Sequence, residues 1–303
     1  MRQPVAPSGE QLELVHGDRR AVVVEVGAGL RTYDVGGQAR LDGYARNEMC
    51  SSGRGQVLMP WPNRIEDGSY KLDGRRHQLP LSEAGARNAI HGLVRWVAWT
   101  AAERSDERVV LEHLLHPQPG YPFSLALRVE YALGDDGLTV RTSATNVGVD
   151  PCPFGSGNHP YLTLGTPTVD ALTLRLPAGR VLESGERGLP GPSRPVEGTE
   201  LDFRTARPIG ATRLDNAFTE LERDADGRVR LELRDAASGA EVVLWADESY
   251  THLQLFTGDP LPDVDRRSLA VEPMTCPPNA FRSGEGVVRL EPGSSWAGAW
   301  GIF

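Results

Sequence analysis

Two titratable residues in this chain stand directly before a proline in settings suited to acid and base chemistry. Glu272 ends the apolar run Leu269-Ala270-Val271 and opens Glu272-Pro273-Met274-Thr275-Cys276-Pro277-Pro278-Asn279-Ala280-Phe281. His159 stands in Gly157-Asn158-His159-Pro160-Tyr161, just after Gly155 and Gly157. A proline restricts the residue before it to extended geometry and cannot donate a sheet hydrogen bond, so Glu272 is expected at a sheet rim. A carboxylate and an imidazole presented alike suit proton shuttling, because burial and mutual charge bring their pKa values toward neutrality from opposite sides. With 23 prolines present, Asp259-Pro260 and His116-Pro117 are read as chance occurrences of the same pairing.

The elements that must hold these residues read as strands. Alternating or β-branched runs recur at Ala21 to Val26, Val97 to Ala102, Val109 to Leu115, Leu125 to Leu133, Leu138 to Thr145, Ala171 to Leu176, Val229 to Leu233, Glu241 to Trp245 and His252 to Phe256. Turn signals such as Gly36-Gly37, Asp73-Gly74, Asp135-Asp136-Gly137 and Asp226-Gly227 separate them at antiparallel spacing. No sustained 3.6-residue apolar period is present, which argues against alternating strands and helices, and no fixed repeat suggests a propeller. The expectation is an all-β chain, a large antiparallel β-sandwich with few short helices. Residues 1–303 are expected to form a single domain, 1–10 a flexible N-terminal segment, and Gly188 to Gly198 a long loop.

Composition narrows the function. A net charge of -9 and a pI near 5.4 oppose a nucleic-acid partner. No apolar stretch reaches the roughly 20 residues of a membrane helix, and Met1 to Glu10 lacks the apolar core of a secretion signal, so a cytoplasmic protein is expected. Cys50, Cys152 and Cys276 are too scattered for a disulfide framework or a zinc knuckle. Lys71 is the single lysine among 32 lysines and arginines, and it sits in a strand and turn pattern. A Schiff base or a phosphate-cradling lysine is therefore excluded.

Several other motifs fail on inspection. Gly27-Ala28-Gly29 lacks the third glycine of a dinucleotide fingerprint, and Ser156 lacks the spacing of a nucleophile elbow. His113 and His116 point to opposite faces of a strand, so they could not readily share a metal. A metal held by His91, His159 and Glu272 has no His-x-His core, and no metal or other cofactor is expected.

Five polar segments among glycines, prolines and aromatics remain: Pro60-Trp61-Pro62-Asn63-Arg64-Ile65, Asn88-Ala89-Ile90-His91-Gly92, Asn158-His159-Pro160-Tyr161, Arg213-Leu214-Asp215-Asn216-Ala217-Phe218 and Val271-Glu272-Pro273. Each alone reads as turn or surface polarity. In this order and spacing they resemble the aldose 1-epimerase (mutarotase) family, over about residues 50 to 303. The resemblance implies a β-supersandwich with an open sugar cleft, Glu272 as the base that takes the anomeric hydroxyl proton, and His159 as the acid at the ring oxygen. It further implies His91 assisting there, and Asn63, Arg64, Asp215 and Gln254 holding sugar hydroxyls. Among the aromatics most are expected in the core, with Trp61 and Tyr161 favoured as cleft residues.

The sequence departs from the galactose mutarotases at Leu93-Val94-Arg95, at Gly157-Asn158 and after Glu272, which resembles a bacterial branch of the family. Arg95 is read as a surface-loop charge, with contact to an acidic substituent as the alternative. The expected partner is a monosaccharide, no membrane is involved, and the protein is a monomer or homodimer. The rival to an enzyme is a sugar-binding or sensing protein of the same fold, which has no need for both Glu272 and His159.

Overall fold

A computed structural model describes residues 5–259, 261–262 and 264–303. Among them, helix is confined to the four-residue Ala280–Ser283 and three 3₁₀ turns, and the pairings between strands are antiparallel. A nine-stranded sheet runs in the order Thr100–Arg104, Arg108–Leu115, Leu125–Gly134, Gly137–Asn146, Ser295–Ile302, Glu241–Ala246, Val229–Arg234, Thr173–Arg175, Arg207–Pro208. Its central strands show why they pair. Leu125, Leu127, Val129, Tyr131 and Leu133 are buried, while the intervening positions turn outward, where Arg108 and Arg141 pair with Glu130.

The sheet that carries the site runs Pro190–Pro195, Ala178–Ser184, Asp215–Leu221, His252–Phe256, Leu269–Met274, Gly157–Asn158, Val57–Leu58, with Tyr161–Leu162 also paired to Leu269–Met274. Leu253, Leu255, Leu269 and Val271 from this sheet join Leu127, Val129 and Val140 from the other in one continuous core. The sandwich is thus closed by alternate residues of both sheets, and the residues between them face the other way. In this second set stand Gln254, Phe256, Ala270 and Glu272.

Expected strands and observed ones agree in place, with His252–Phe256 reproduced end to end and most others shifted by one to three residues. One expectation needs correction. The Gly188 to Gly198 stretch contains the edge strand Pro190–Pro195, paired with Ala178–Ser184. Prolines are tolerated on an edge because their missing N–H faces no neighbour. The N-terminal segment is held in place from Ser8 onward, where Ser8 is buried, Val26 donates to the Ser8 carbonyl and Glu25 to that of Glu10. Residues 1–4 of that segment lie outside the described residues. No helix among the described residues is long and apolar enough to cross a membrane.

Candidate active site

Glu272 is not at a rim. The strand continues through Pro273 to Met274, and Glu272 stands inside it opposite Gln254, with only 3 % of its surface exposed. The reason lies in the direction of alternate N–H groups. Val271 donates to the Pro160 carbonyl and Thr275 to that of Ser156, so position 273 faces the same neighbour midway between them. There the neighbouring chain leaves the ladder between Gly157–Asn158 and Tyr161–Leu162. A residue without an N–H leaves nothing unpaired at this gap.

The gap is filled by His159, which presents its Nε2 at 3.4 Å from Glu272 Oε1. Its ring is clamped between neighbours. Tyr161 stacks on it with centroids 5.0 Å apart, and His91 meets it edge-on at 5.4 Å. The Tyr161 hydroxyl donates to the Ser52 carbonyl, which ties the stack to the Ser51-Ser52-Gly53 turn. Gly53 has φ +76°, and a Cβ there would lie 2.7 Å from His159 Cδ2, so only glycine allows this approach.

His91 is locked differently. Asn63 and His91 both have positive φ, the His91 N–H donates to the Asn63 carbonyl, and the Asn63 N–H donates to His91 Nδ1 at 3.1 Å. A neutral ring that accepts at Nδ1 carries its proton on Nε2. The Asn63 side chain accepts the Arg64 N–H at Oδ1, 2.9 Å. Nitrogens of His91 and His159 and an oxygen of Glu272 all lie within 4.8 Å of one another. Coordination through His91 Nε2 would need its proton moved to Nδ1, against the N–H already aimed there. The cluster is thus suited to protons and hydrogen bonds rather than to a metal.

These residues line a cavity of about 410 Å³ together with Arg64, Asp215, Gln254, Phe256 and Tyr161. Gln254 Nε2 donates to Asp215 Oδ1 at 2.8 Å, and the pairing of Asp215 with Phe256 puts its side chain on the same face as Glu272. Trp61 is the exception among the expected site residues. It is 2 % exposed, packs against Phe281 and lies off the cavity, so it is core rather than cleft. Arg95 is not a free surface charge. It is half-buried on the cavity wall and donates to Gln56 Oε1 at 3.1 Å. The sequence reading missed Glu83, Trp96 and Asp259 as lining residues. The glycine-rich Ser51-Ser52-Gly53-Arg54-Gly55 run was a usable sign of close backbone approach, whereas Glu83 carries no local sign.

Burial sets the electrostatics. It pushes the Glu272 carboxyl well above the usual carboxylate range, helped by the Asp215 charge and opposed by Arg64. It lowers His159 to about 3, with Arg95, Arg54 and Arg64 adding to the effect, and drives His91 well below its ordinary value. Both members of the Glu272 and His159 pair are thus driven toward their uncharged forms, and the pair as a whole holds one proton. Asp215 is raised by burial, with Arg64 acting against it.

Comparison with known proteins shows the family and the fold. Residues 10–301 match the family model for aldose 1-epimerase. The chain is 37% identical over 287 residues to the uncharacterized protein YihR of Escherichia coli (strain K12), covering 94% of this chain and 90% of that one. It is 29% identical over 181 residues to the galactose mutarotase of Homo sapiens, covering 57% and 51%. The fold superimposes on the GalM/aldose epimerase homologue from C. elegans with a TM-score of 0.84 at 20% identity, over 97% of this chain and 98% of that one. The protein belongs to the aldose 1-epimerase family.

Proposed function

We propose that this protein interconverts the α and β anomers of a free aldohexose, with Glu272 as base and His159 as acid. The observation that carries the reading is the 3.4 Å approach of His159 Nε2 to Glu272 Oε1 on the wall of a cavity that also presents Asn63, Arg64, Asp215 and Gln254. The anomeric hydroxyl oxygen O1 and the ring oxygen O5 are both bonded to C1. Acid and base must therefore act on atoms one carbon apart, which two adjacent side chains can do.

The proton inventory of the pair fits the step. With its one proton on His159, the pair faces the sugar as carboxylate and imidazolium. Glu272 takes the proton of O1, the C1–O5 bond breaks as the C1=O1 bond forms, and His159 gives its proton to O5. The pair ends in its uncharged form, the form that burial favours, so the protein drives proton transfer in the direction of opening. The aldehyde rotates about C1–C2 and recloses from its other face with the roles reversed. His91, fixed as an Nε2 donor, supplies a hydrogen bond to the oxygen that gains charge. Each positioned proton donor or acceptor contributes on the order of 10²- to 10⁴-fold.

The test is anomer exchange followed by NMR or polarimetry over a panel of aldohexoses, neutral and phosphorylated. Acceleration over buffer is expected for at least one neutral sugar. Saturable binding of a sugar with no excess exchange rate selects a binding protein instead.

A further inference from the structure

Glu83 is a carboxylate of the cavity wall that none of the sequence motifs includes. It grips Arg64 side-on. Arg64 Nε donates to Glu83 Oε2 at 2.9 Å and to Oε1 at 3.2 Å, and Nη2 donates to Oε1 at 2.9 Å. Two-point pairing of this kind fixes the guanidinium plane as well as its place. Glu83 is itself held, since Asn88 Nδ2 donates to its Oε2 at 2.8 Å and the two residues exchange backbone hydrogen bonds. The same Asn88 Nδ2 donates to the Arg187 carbonyl, and the next residue, Gly188, lies so close to Arg64 that a Cβ would sit 2.5 Å from Nη1.

The charges around Glu272 show what this grip does. Facing it are His159 and His91, Asp215 on the adjoining Asp215–Leu221 strand, the neutral Gln254, and Arg64, with Arg95 and Arg54 acting on His159. Arg64 is the cation that pulls Glu272 toward its ionised form. Its guanidinium is already half-spent on Glu83, which also acts on Asp215.

We propose that Glu83 is a positioning residue of the acid–base pair, holding Arg64 flat against the Gly188 segment and cancelling much of the charge that Arg64 would otherwise direct at Glu272. The inference rests on the reading of Glu272 as base and adds what sets the pH at which that base works. With Glu83 neutralised, Arg64 acts unopposed on both Glu272 and His159, the pair takes up a second proton less readily, and catalysis persists to lower pH.

The experiment is the pH dependence of kcat/KM for anomer exchange in the wild type, Glu83→Gln and Glu83→Asp. The acidic limb of Glu83→Gln is expected to move down by on the order of half to one pH unit, the effect of one charge across a site of this size. Glu83→Asp, which keeps the charge but cannot span both nitrogens, is expected to keep the wild-type limb with a raised KM. An unmoved limb in Glu83→Gln, or equal shifts in both variants, overturns the proposal. If Glu83→Gln does not melt cooperatively, Asn88→Ala takes its place. It leaves the carboxylate but frees it, and a KM unchanged within about twofold then overturns the positioning role. A wild type that shows no exchange or no acidic limb sinks the earlier functional reading instead.

Discussion

The imidazole of His159 and the carboxylate of Glu272 meet at 3.4 Å where a sheet ladder is broken, His159 filling the break and Glu272 facing it from an intact strand. The break exists because the chain between Gly157–Asn158 and Tyr161–Leu162 loops out, and Pro273 opposite it needs no acceptor. Glu272 is therefore fixed inside a strand and His159 in a two-residue break between paired segments, which limits how far either group can drift from the other.

Glu272→Gln keeps the shape of the side chain and removes its proton-accepting charge. The exchange rate is expected to fall by roughly 10³-fold or more while sugar affinity changes little. Stability is expected to hold or rise slightly, because a buried carboxyl with no hydrogen-bond partner at Oε2 is being replaced by a neutral amide. Exchange NMR and a thermal melt check both halves, and residual activity within tenfold of wild type refutes the assignment of the base.

The same carboxyl fixes a pH dependence. Its pKa is raised above the ordinary 4.5, and the pair reacts with one proton shared between Glu272 and His159, so the raised value marks loss of that proton and kcat/KM must fall as pH rises through it. The acidic limb is uptake of a second proton by the pair and is expected below that value. A profile with no alkaline fall, in protein shown by melts to remain folded, contradicts the one-proton pair.

Much of this was readable in the sequence, for reasons that can be named. Strand alternation at Leu125 to Leu133 and His252 to Phe256 marked these segments as strands with two faces, while Gln254 was singled out by the family resemblance. The residues brought together, His91, His159, Asp215 and Glu272, stood in segments whose order carries a family resemblance. What could not be read was whatever depends on a partner far along the chain. Pro273 looked like a strand end because the gap that accommodates it is made by His159 and Pro160. Trp61 looked like a cleft residue beside Asn63 and Arg64, but Phe281 claims its ring for the core. Glu83 had no local sign because its meaning is the hold on Arg64, and Arg95 looked exposed until Gln56 and the cavity wall enclosed it.

Gly53→Ala tests how tightly His159 is placed. The added methyl meets the imidazole at 2.7 Å, and the backbone there has a φ that L residues rarely adopt. Either the turn opens or His159 shifts. A loss of at least tenfold in kcat is expected, with a stability cost of about 1–2 kcal/mol. Wild-type kcat in this variant shows that the position of His159 is not critical.

A last prediction concerns stability rather than turnover and separates burial from catalysis. His252, 7 % exposed, shares a 2.9 Å hydrogen bond with the Thr251 hydroxyl, and that hydroxyl donates to the Thr275 carbonyl. Nδ1 of His252 must then be the donor to Thr251, so in the neutral ring the proton is on Nδ1. Burial lowers its pKa from 6.5 to about 4. Above pH 6.5 neither the folded nor the unfolded chain protonates it, and its full contribution is present. As pH falls from 6.5 toward 4 only the unfolded chain takes up the proton, and about 1.4 kcal/mol of stability is lost per pH unit. His252→Asn can still donate to Thr251 and cannot titrate. Its urea midpoint is expected to fall less steeply between pH 7 and 5 than that of the wild type, with exchange activity at pH 7 unchanged. Equal slopes for the two proteins mean that His252 is protonated as readily folded as unfolded, and the buried neutral ring is then the wrong description.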